Sequence, residues 1–213
     1  MKTLLLSALA AVALAAPTSA DDHRIRELTG SYPTAGMHRI ELKLPPGEIS
    51  IEPSPDGRLR VELGVFCAFD ESGCKELAGR LSLDSETGGS TLTLRVDGMP
   101  TMNLRGLNVR GRVLVPRGTT LEVDLPAGEL KVRGMEGDLE VDVGAGDVEI
   151  TLRERDVRSV RVGVGIGEAS LSVAGRSIEG SGWLGHRVRW GEGPGPSRVA
   201  VSLGVGDVEV RLD

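Results

Sequence analysis

The segment LEVDVGAGDVEITL, residues 139 to 152, places Leu139, Val141 and Val143 on alternate positions, breaks step at Gly144-Ala145-Gly146-Asp147, and resumes with Val148, Ile150 and Leu152. Alternation with period two is the mark of a half-buried strand. A bend within residues 144 to 147 needs positive φ, which is inexpensive only for glycine. A carboxylate beside it, Asp147, can accept hydrogen bonds from amides that the bend leaves open. The segment therefore reads as strand, corner, strand, with both apolar sets directed to one interior.

The same template recurs along the chain: LEVDLPAGELKV from Leu121, VRVGVGIGEASLSV from Val160, VAVSLGVGDVEVRL from Val199, and an earlier relative, IELKLPPGEISI, from Ile40. The aligned corner glycines are Gly47, Gly128, Gly146, Gly167 and Gly206, with Asp147 and Asp207 after two of them and Glu129 and Glu168 after two others. The last four glycines lie 18, 21 and 39 residues apart, so the final gap leaves room for a diverged copy between residues 175 and 198. A period near 20 belongs to solenoids, in which Val stacks on Val from one turn to the next. The expected fold is all-β, a single parallel β-helix-like solenoid of roughly 20-residue repeats. Residues 21–115 form its irregular part and residues 116–213 its regular one. A hairpin corner would satisfy the same parity within one unit, but recurrence at one period favours the solenoid.

These VxVGxGDVxV units, from Leu121 to Asp213, resemble the bacterial "putative adhesin" family of β-strand-repeat domains, and the segment Ile40 to Ile51 is similar to the first strand pair of such domains. The resemblance extends over residues 21–213. It implies a β-solenoid on an exported protein and brings no catalytic residue with it. The chain departs from the pattern at the Trp-containing stretch near residue 190 and at its two cysteines.

The N-terminus supports export. Lys2 is followed by an apolar run from Leu4 to Ala16 and by Pro17-Thr18-Ser19-Ala20, the three parts of a secretory leader. The run is shorter than the roughly 20 residues that span a bilayer, so cleavage after Ala20 is expected and no transmembrane anchor. The mature protein is then expected to be soluble, in the periplasm or outside the cell. The net charge is −6, and loss of Lys2 with the leader makes the exported part more negative still. No basic block interleaved with aromatics is present, which argues against nucleic acid as a partner. Aromatics make up only 2% of the chain while Gly numbers 30, so the core is expected to be thin and aliphatic.

Between Cys67 and the main repeats the pattern is looser. Arg60 to Phe66 and Ser90 to Val96 alternate as strands, Glu71 to Leu83 has a short helical look, and Gly88-Gly89 marks a turn.

Cys67 and Cys74 are the only cysteines, and in an exported chain the expected role is a structural disulfide. Zinc is disfavoured because His23, His38 and His186 stand singly. The Gly-rich acidic corners invite calcium, but calcium takes about 6 to 8 oxygens and corners some 20 residues apart supply them only if closely stacked. The expectation is solvated turn carboxylates and no cofactor. Trp183 and Trp190 are either an exposed platform for glycan or peptide or, as favoured here, a plug over an aliphatic core. No nucleophile elbow, phosphate loop or paired His-Glu metal motif occurs. GVGIGEA mimics a dinucleotide fingerprint, but a strand pattern follows where a helix is required.

Two function classes follow. The first is a non-catalytic adhesin-like or envelope interaction module, its partner an unspecified envelope or surface protein or glycan. The second is a β-helix protein that binds or processes carbohydrate, which needs carboxylates clustered on one face of adjacent turns.

Overall fold

The computed structural model describes residues 23–67, 72–99, 106–181, 185–191 and 193–213. The expected leader, residues 1–20, and Trp183 lie outside the described residues. No helix among the described residues is long and apolar enough to cross a membrane.

The protein is all-β, with strands β1 (His23–Tyr32), β2 (Arg39–Lys43), β3 (Gly47–Pro53), β4 (Leu59–Cys67), β5 (Ser82–Gly88), β6 (Thr91–Asp97), β7 (Leu107–Val115), β8 (Thr120–Arg133), β9 (Leu139–Leu152), β10 (Val157–Ile166), β11 (Ala169–Val173), β12 (Arg176–Glu179), β13 (His186–Trp190), β14 (Ser197–Val205) and β15 (Val208–Leu212). Helix α1 (Ser72–Arg80) follows β4, and a short 3-10 turn, Glu154–Asp156, joins β9 to β10.

β9 shows how the repeat works. Leu139, Val141, Val143, Val148, Ile150 and Leu152 are all buried, while Glu140 and Asp142 are exposed. The corner shifts the alternation by one position and so keeps the face, and the two arms of the unit send their apolar side chains into one continuous core. β8 runs parallel to β9 in perfect register, Leu121 beside Leu139 and Gly128 beside Gly146, through to Arg133 beside Thr151. Stacked aliphatic side chains fill each level, and every fully buried Val or Leu contributes roughly 1.5–3 kcal/mol relative to exposure. Among the described residues the buried hydrophobic side chains are aliphatic or sulfur-containing, with no aromatic among them.

The order of the units differs from expectation. β2 and β3 lie parallel to the two arms of β8, and β14 and β15 lie parallel to the two arms of β9. β10 and β11 then lie parallel to β14 and β15. The C-terminal unit is thus inserted between residues 139–152 and 157–173 instead of following the latter. The cause is local. Ala174 (φ 48) and Gly175 (φ 75) turn the chain back at once, so that β12 pairs antiparallel with β11 and β13 antiparallel with β10. The outer edge of that unit is filled by its own continuation, and the last segment enters on the inner edge. Residues 175 to 198, expected to hold a diverged copy, are these antiparallel edges and the crossing to β14.

A similar return occurs at the other end. β6 and β7 lie parallel to β2 and β3, outside them, and antiparallel β5, β4 and β1 complete that flank. The sheet is therefore mixed, parallel in its middle and antiparallel at both ends, and does not follow the sequential order of the expected solenoid.

Candidate functional site

The corners converge on one ridge. Gly128, Gly146, Gly167 and Gly206 hold φ of 129°, 131°, 129° and 128°. Conformation is half of the reason for glycine; contact is the other. A Cβ on Gly128 would lie 1.9 Å from the Gly47 carbonyl oxygen, one on Gly146 1.8 Å from that of Gly128, one on Gly206 1.8 Å from that of Gly146, and one on Gly167 1.9 Å from that of Gly206. The backbones form a ladder with no room for side chains. Gly47 differs from its four counterparts: it does not adopt positive φ, and glycine is required there by space alone, because a Cβ would fall 2.0 Å from the Val109 carbonyl oxygen.

Between the ladder and the preceding strand lies a column of outward apolar residues. Ala145 pairs with Val205, and Val205 pairs with Ile166. Ile166 and Val205 are 63% and 49% exposed, the most exposed large hydrophobic side chains among the described residues. The alternation of Val160 to Val164 and of Val199 to Leu203 would place both inside; the corner breaks that step at Gly165 and Gly204 and turns them out, and their prominence depends on which units become neighbours.

After the ladder comes a column of carboxylates. Glu48 lies beside Glu129, and Glu129 beside Asp147. Asp207 follows, its carbonyl accepting from Val148 N–H, and then Glu168, whose carbonyl accepts from Val208 N–H. Adjacent strands are about 4.8 Å apart, so these groups repeat at that spacing along the stack. Asp207 Oδ1 accepts a hydrogen bond of 2.8 Å from the Glu168 amide, so it serves the neighbouring unit's corner. Asp147 is exposed.

Further along two of the strands, cations partly answer this charge. Lys131 Nζ is 2.5 Å from Glu129 Oε1, and the hydrogen bond and the charge of Glu129 hold the Lys131 ammonium above its ordinary pKa. Arg211 reaches Glu209 at 2.7 Å and Glu149 at 3.3 Å. Asp147, Asp207, Glu168 and Glu179 have no cationic partner among the described residues. Together with His186 they line an open groove of about 700 Å³ over Val148, Ala169 and Val208. His186 Nδ1 donates to the Gly167 carbonyl, which fixes its ring beside the corner. Its place was not legible from sequence because β13 returns across the stack from an irregular stretch. Among the described residues no cluster of His, Cys, Asp or Glu is arranged to hold a metal ion.

The other expected sites lie elsewhere. Cys67 and Cys74 form a disulfide, Cα–Cα 6.0 Å, that ties the end of β4 to α1 at the opposite end of the molecule from the groove. Trp190 is half-buried on edge strand β13, opposite Val160, and packs against the core. The structure brings the corner glycines, Asp147 and Asp207 together and leaves the cysteines apart from them.

No family model and no curated protein matches the chain. Among solved structures, a "putative cell adhesion protein" from Clostridium sporogenes ATCC 15579 is similar with a TM-score of 0.50 and 12% identity, over 88% of this chain and 99% of its own. A "putative adhesin" from Bacteroides fragilis NCTC 9343 aligns at 12% identity over 87% of this chain and 97% of its own, with a TM-score of 0.26. The first likeness shows a shared fold, and the second carries no argument.

Proposed function

We propose that the chain is an exported, non-catalytic interaction module of the adhesin-like family, its strand-corner-strand units a short solenoid closed at both ends by antiparallel strands. The observation that carries this reading is the ridge itself: units in register present outward columns of one chemistry, apolar and then acidic, along an open groove. A repetitive exposed surface of this kind suits contact with an extended partner. The fold shared with a protein described as a cell adhesion protein supports the class. The Cys67–Cys74 disulfide supports an oxidising destination, periplasmic or extracellular.

The alternative, polysaccharide processing, is favoured by one observation, the carboxylates Asp147, Asp207 and Glu168 on adjacent units. Retaining glycosidases hold their two carboxyl groups about 5–5.5 Å apart, comparable to the strand spacing. All three are exposed, however, and a general acid draws its raised pKa from burial or a tight carboxylate pair.

One experiment separates the readings. The chain is expressed with its own leader, and the exported form is assayed for binding to intact bacterial envelopes and for release of reducing sugar from envelope polysaccharide. Saturable binding without release, weakened tenfold or more in Asp147→Asn/Glu168→Gln/Asp207→Asn, is the expected result. Release of sugar that this variant abolishes establishes the enzyme reading, and retention inside the cell removes the export claim.

A further inference from the structure

The arginines of this protein fall into two populations. From β1 to β9 each described arginine has a partner: Arg39 with Glu122 at 2.7 Å, Arg110 with Glu48 at 2.9 Å and Arg112 with Glu62 at 2.7 Å tie strand to strand, and Arg24 lies over the Phe66 ring. On β10, β13 and the start of β14 this stops. Arg158, Arg161, Arg187, Arg189 and Arg198 are exposed, and among the described residues none of their side chains has an ion pair or hydrogen bond.

Register gathers these five on one face. Arg161 stands directly opposite Arg189, Arg187 opposite Gly163, and Arg198 beside Ser159, where a bulge also turns out Arg158. Val160, Val162, Val188, Val199 and Val201 point inward, so the arginines share the outer surface. Three strands at about 4.8 Å spacing and about 3.3 Å per residue make a strip roughly 10 Å wide and 15 Å long. The other outward residues of these strands, Ser159, Gly163, Ala200 and Ser202, carry no charge and leave the floor shallow. Asp138 touches the strip only by accepting from the Arg198 backbone N–H, at 2.8 Å. Carboxylates resume one strand away, at Glu140 beside Ala200 and Asp142 beside Ser202.

Like charges directly opposite on neighbouring strands oppose folding, so the Arg161–Arg189 pair is unexplained by stability. Guanidinium groups are forks matched to tetrahedral oxyanions, which they hold by paired, charge-assisted hydrogen bonds. We propose that this strip binds an extended anionic glycan carrying phosphate or sulfate groups, lying along β13 and β10. The acidic border at Glu140 and Asp142 confines such a chain to the strip. Among the described residues no aromatic ring is free there to stack nucleobases, since Trp190 packs against the core, which disfavours single-stranded nucleic acid. The large exposed apolar side chains, Ile166 and Val205, are at the corner, so the strip lacks the apolar component of a membrane-seated surface. This inference rests on the interaction-module reading and adds a partner chemistry at a second face.

The test titrates the mature chain, residues 21–213, with a heparin oligosaccharide as the sulfate probe and a poly(glycerol phosphate) polymer as the phosphate probe, at 50 and 200 mM salt. Binding to at least one is expected, weakened tenfold or more by the higher salt because counterions are released on contact. Arg161→Gln/Arg189→Gln is expected to weaken it at least tenfold, while Arg161→Lys/Arg189→Lys recovers only part, lacking the fork. Arg176→Gln, an unpaired arginine on β12, serves as the control and leaves binding unchanged. Thermal melting verifies that each variant is folded. No binding to either probe, equal binding by the Gln double variant, tighter binding to DNA, or salt-dependent self-association abolished by the same substitutions overturns the proposal. Envelope binding by a chain that binds neither anionic probe overturns this proposal and leaves the module reading standing; absence of envelope binding by the unaltered chain overturns the module reading instead.

Discussion

Gly146, in the middle of the stack, and Gly57, in the turn between β3 and β4, both hold positive φ, at 131° and 69°. A Cβ added at Gly57 meets nothing within 4 Å, whereas one at Gly146 falls on the Gly128 carbonyl oxygen. At Gly57 glycine serves backbone freedom alone. The middle uses it for freedom and for close approach together, because each corner rests on the next. A defect at Gly57 is therefore local, while one at Gly146 must displace a neighbouring unit.

The same contrast governs the core, where the largest effects are expected. Val141→Asp or Ile150→Asp buries an unpaired carboxylate among stacked aliphatics and is expected to cost about 4 kcal/mol or more, measured by denaturant midpoints on the mature protein. Leu83 on β5 is only half-buried. Leu83→Asp is expected to cost roughly 1–2 kcal/mol, since its carboxylate can turn to water. Equal costs at the two places would show that the middle is no more tightly packed than the flank.

Next come the glycines. Gly146→Ala is expected to cost at least about 3 kcal/mol, combining backbone strain with a collision that only a shift of residues 120–133 relieves. Gly57→Ala is expected to cost about 1–2 kcal/mol, the price of left-handed backbone alone. A Gly146→Ala penalty no greater than that of Gly57→Ala would mean that the corners do not bear on one another.

The disulfide belongs to the flank and sharpens the comparison there. Cys67→Ser/Cys74→Ser removes a closure across seven residues and is expected to lower stability by about 2–3 kcal/mol. Alkylation of the unreduced mature protein is expected to label neither cysteine. Because α1 and β4 are far from the ridge, envelope binding is expected to survive the double substitution wherever the protein remains folded.

The strands and corners were legible because both are local properties. Alternation from Leu139 to Leu152 and the Gly-acid pair at residues 146 and 147 determine face and bend without reference to any other part of the chain. The order of the units was not legible. VRVGVGIGEASLSV and VAVSLGVGDVEVRL present nearly the same edges, so either could lie against β9, and the choice rests on the Ala174-Gly175 reversal that fills the outer edge of the first. The pairing of β6 and β7 with β2 and β3 was hidden for a related reason: the segment joining them has no GxG corner. The acidic groove and the arginine strip depend on lateral neighbours, and so became visible only once that order was known.

The smallest expected effect tests whether the arginine strip is held against its own repulsion. Arg161 stands directly opposite Arg189 across β10 and β13, whereas Arg39 reaches diagonally to Glu122 across β2 and β8. Arg161→Glu replaces a like-charged pair with an opposite one and is expected to stabilise the protein by a few tenths of a kcal/mol, up to about 1 kcal/mol. Arg39→Glu makes the reverse change and is expected to destabilise by a similar amount. Both pairs are exposed, so both effects should shrink as salt rises toward 1 M, where the Debye length falls to about 3 Å. Denaturant midpoints at low and high salt give the two signs directly. A destabilising Arg161→Glu would mean that the arginines satisfy some internal need of the fold, and the strip would lose its standing as a surface kept for a partner. A stabilising one, accompanied by loss of binding to the anionic probes, would show that stability at that edge has been exchanged for recognition.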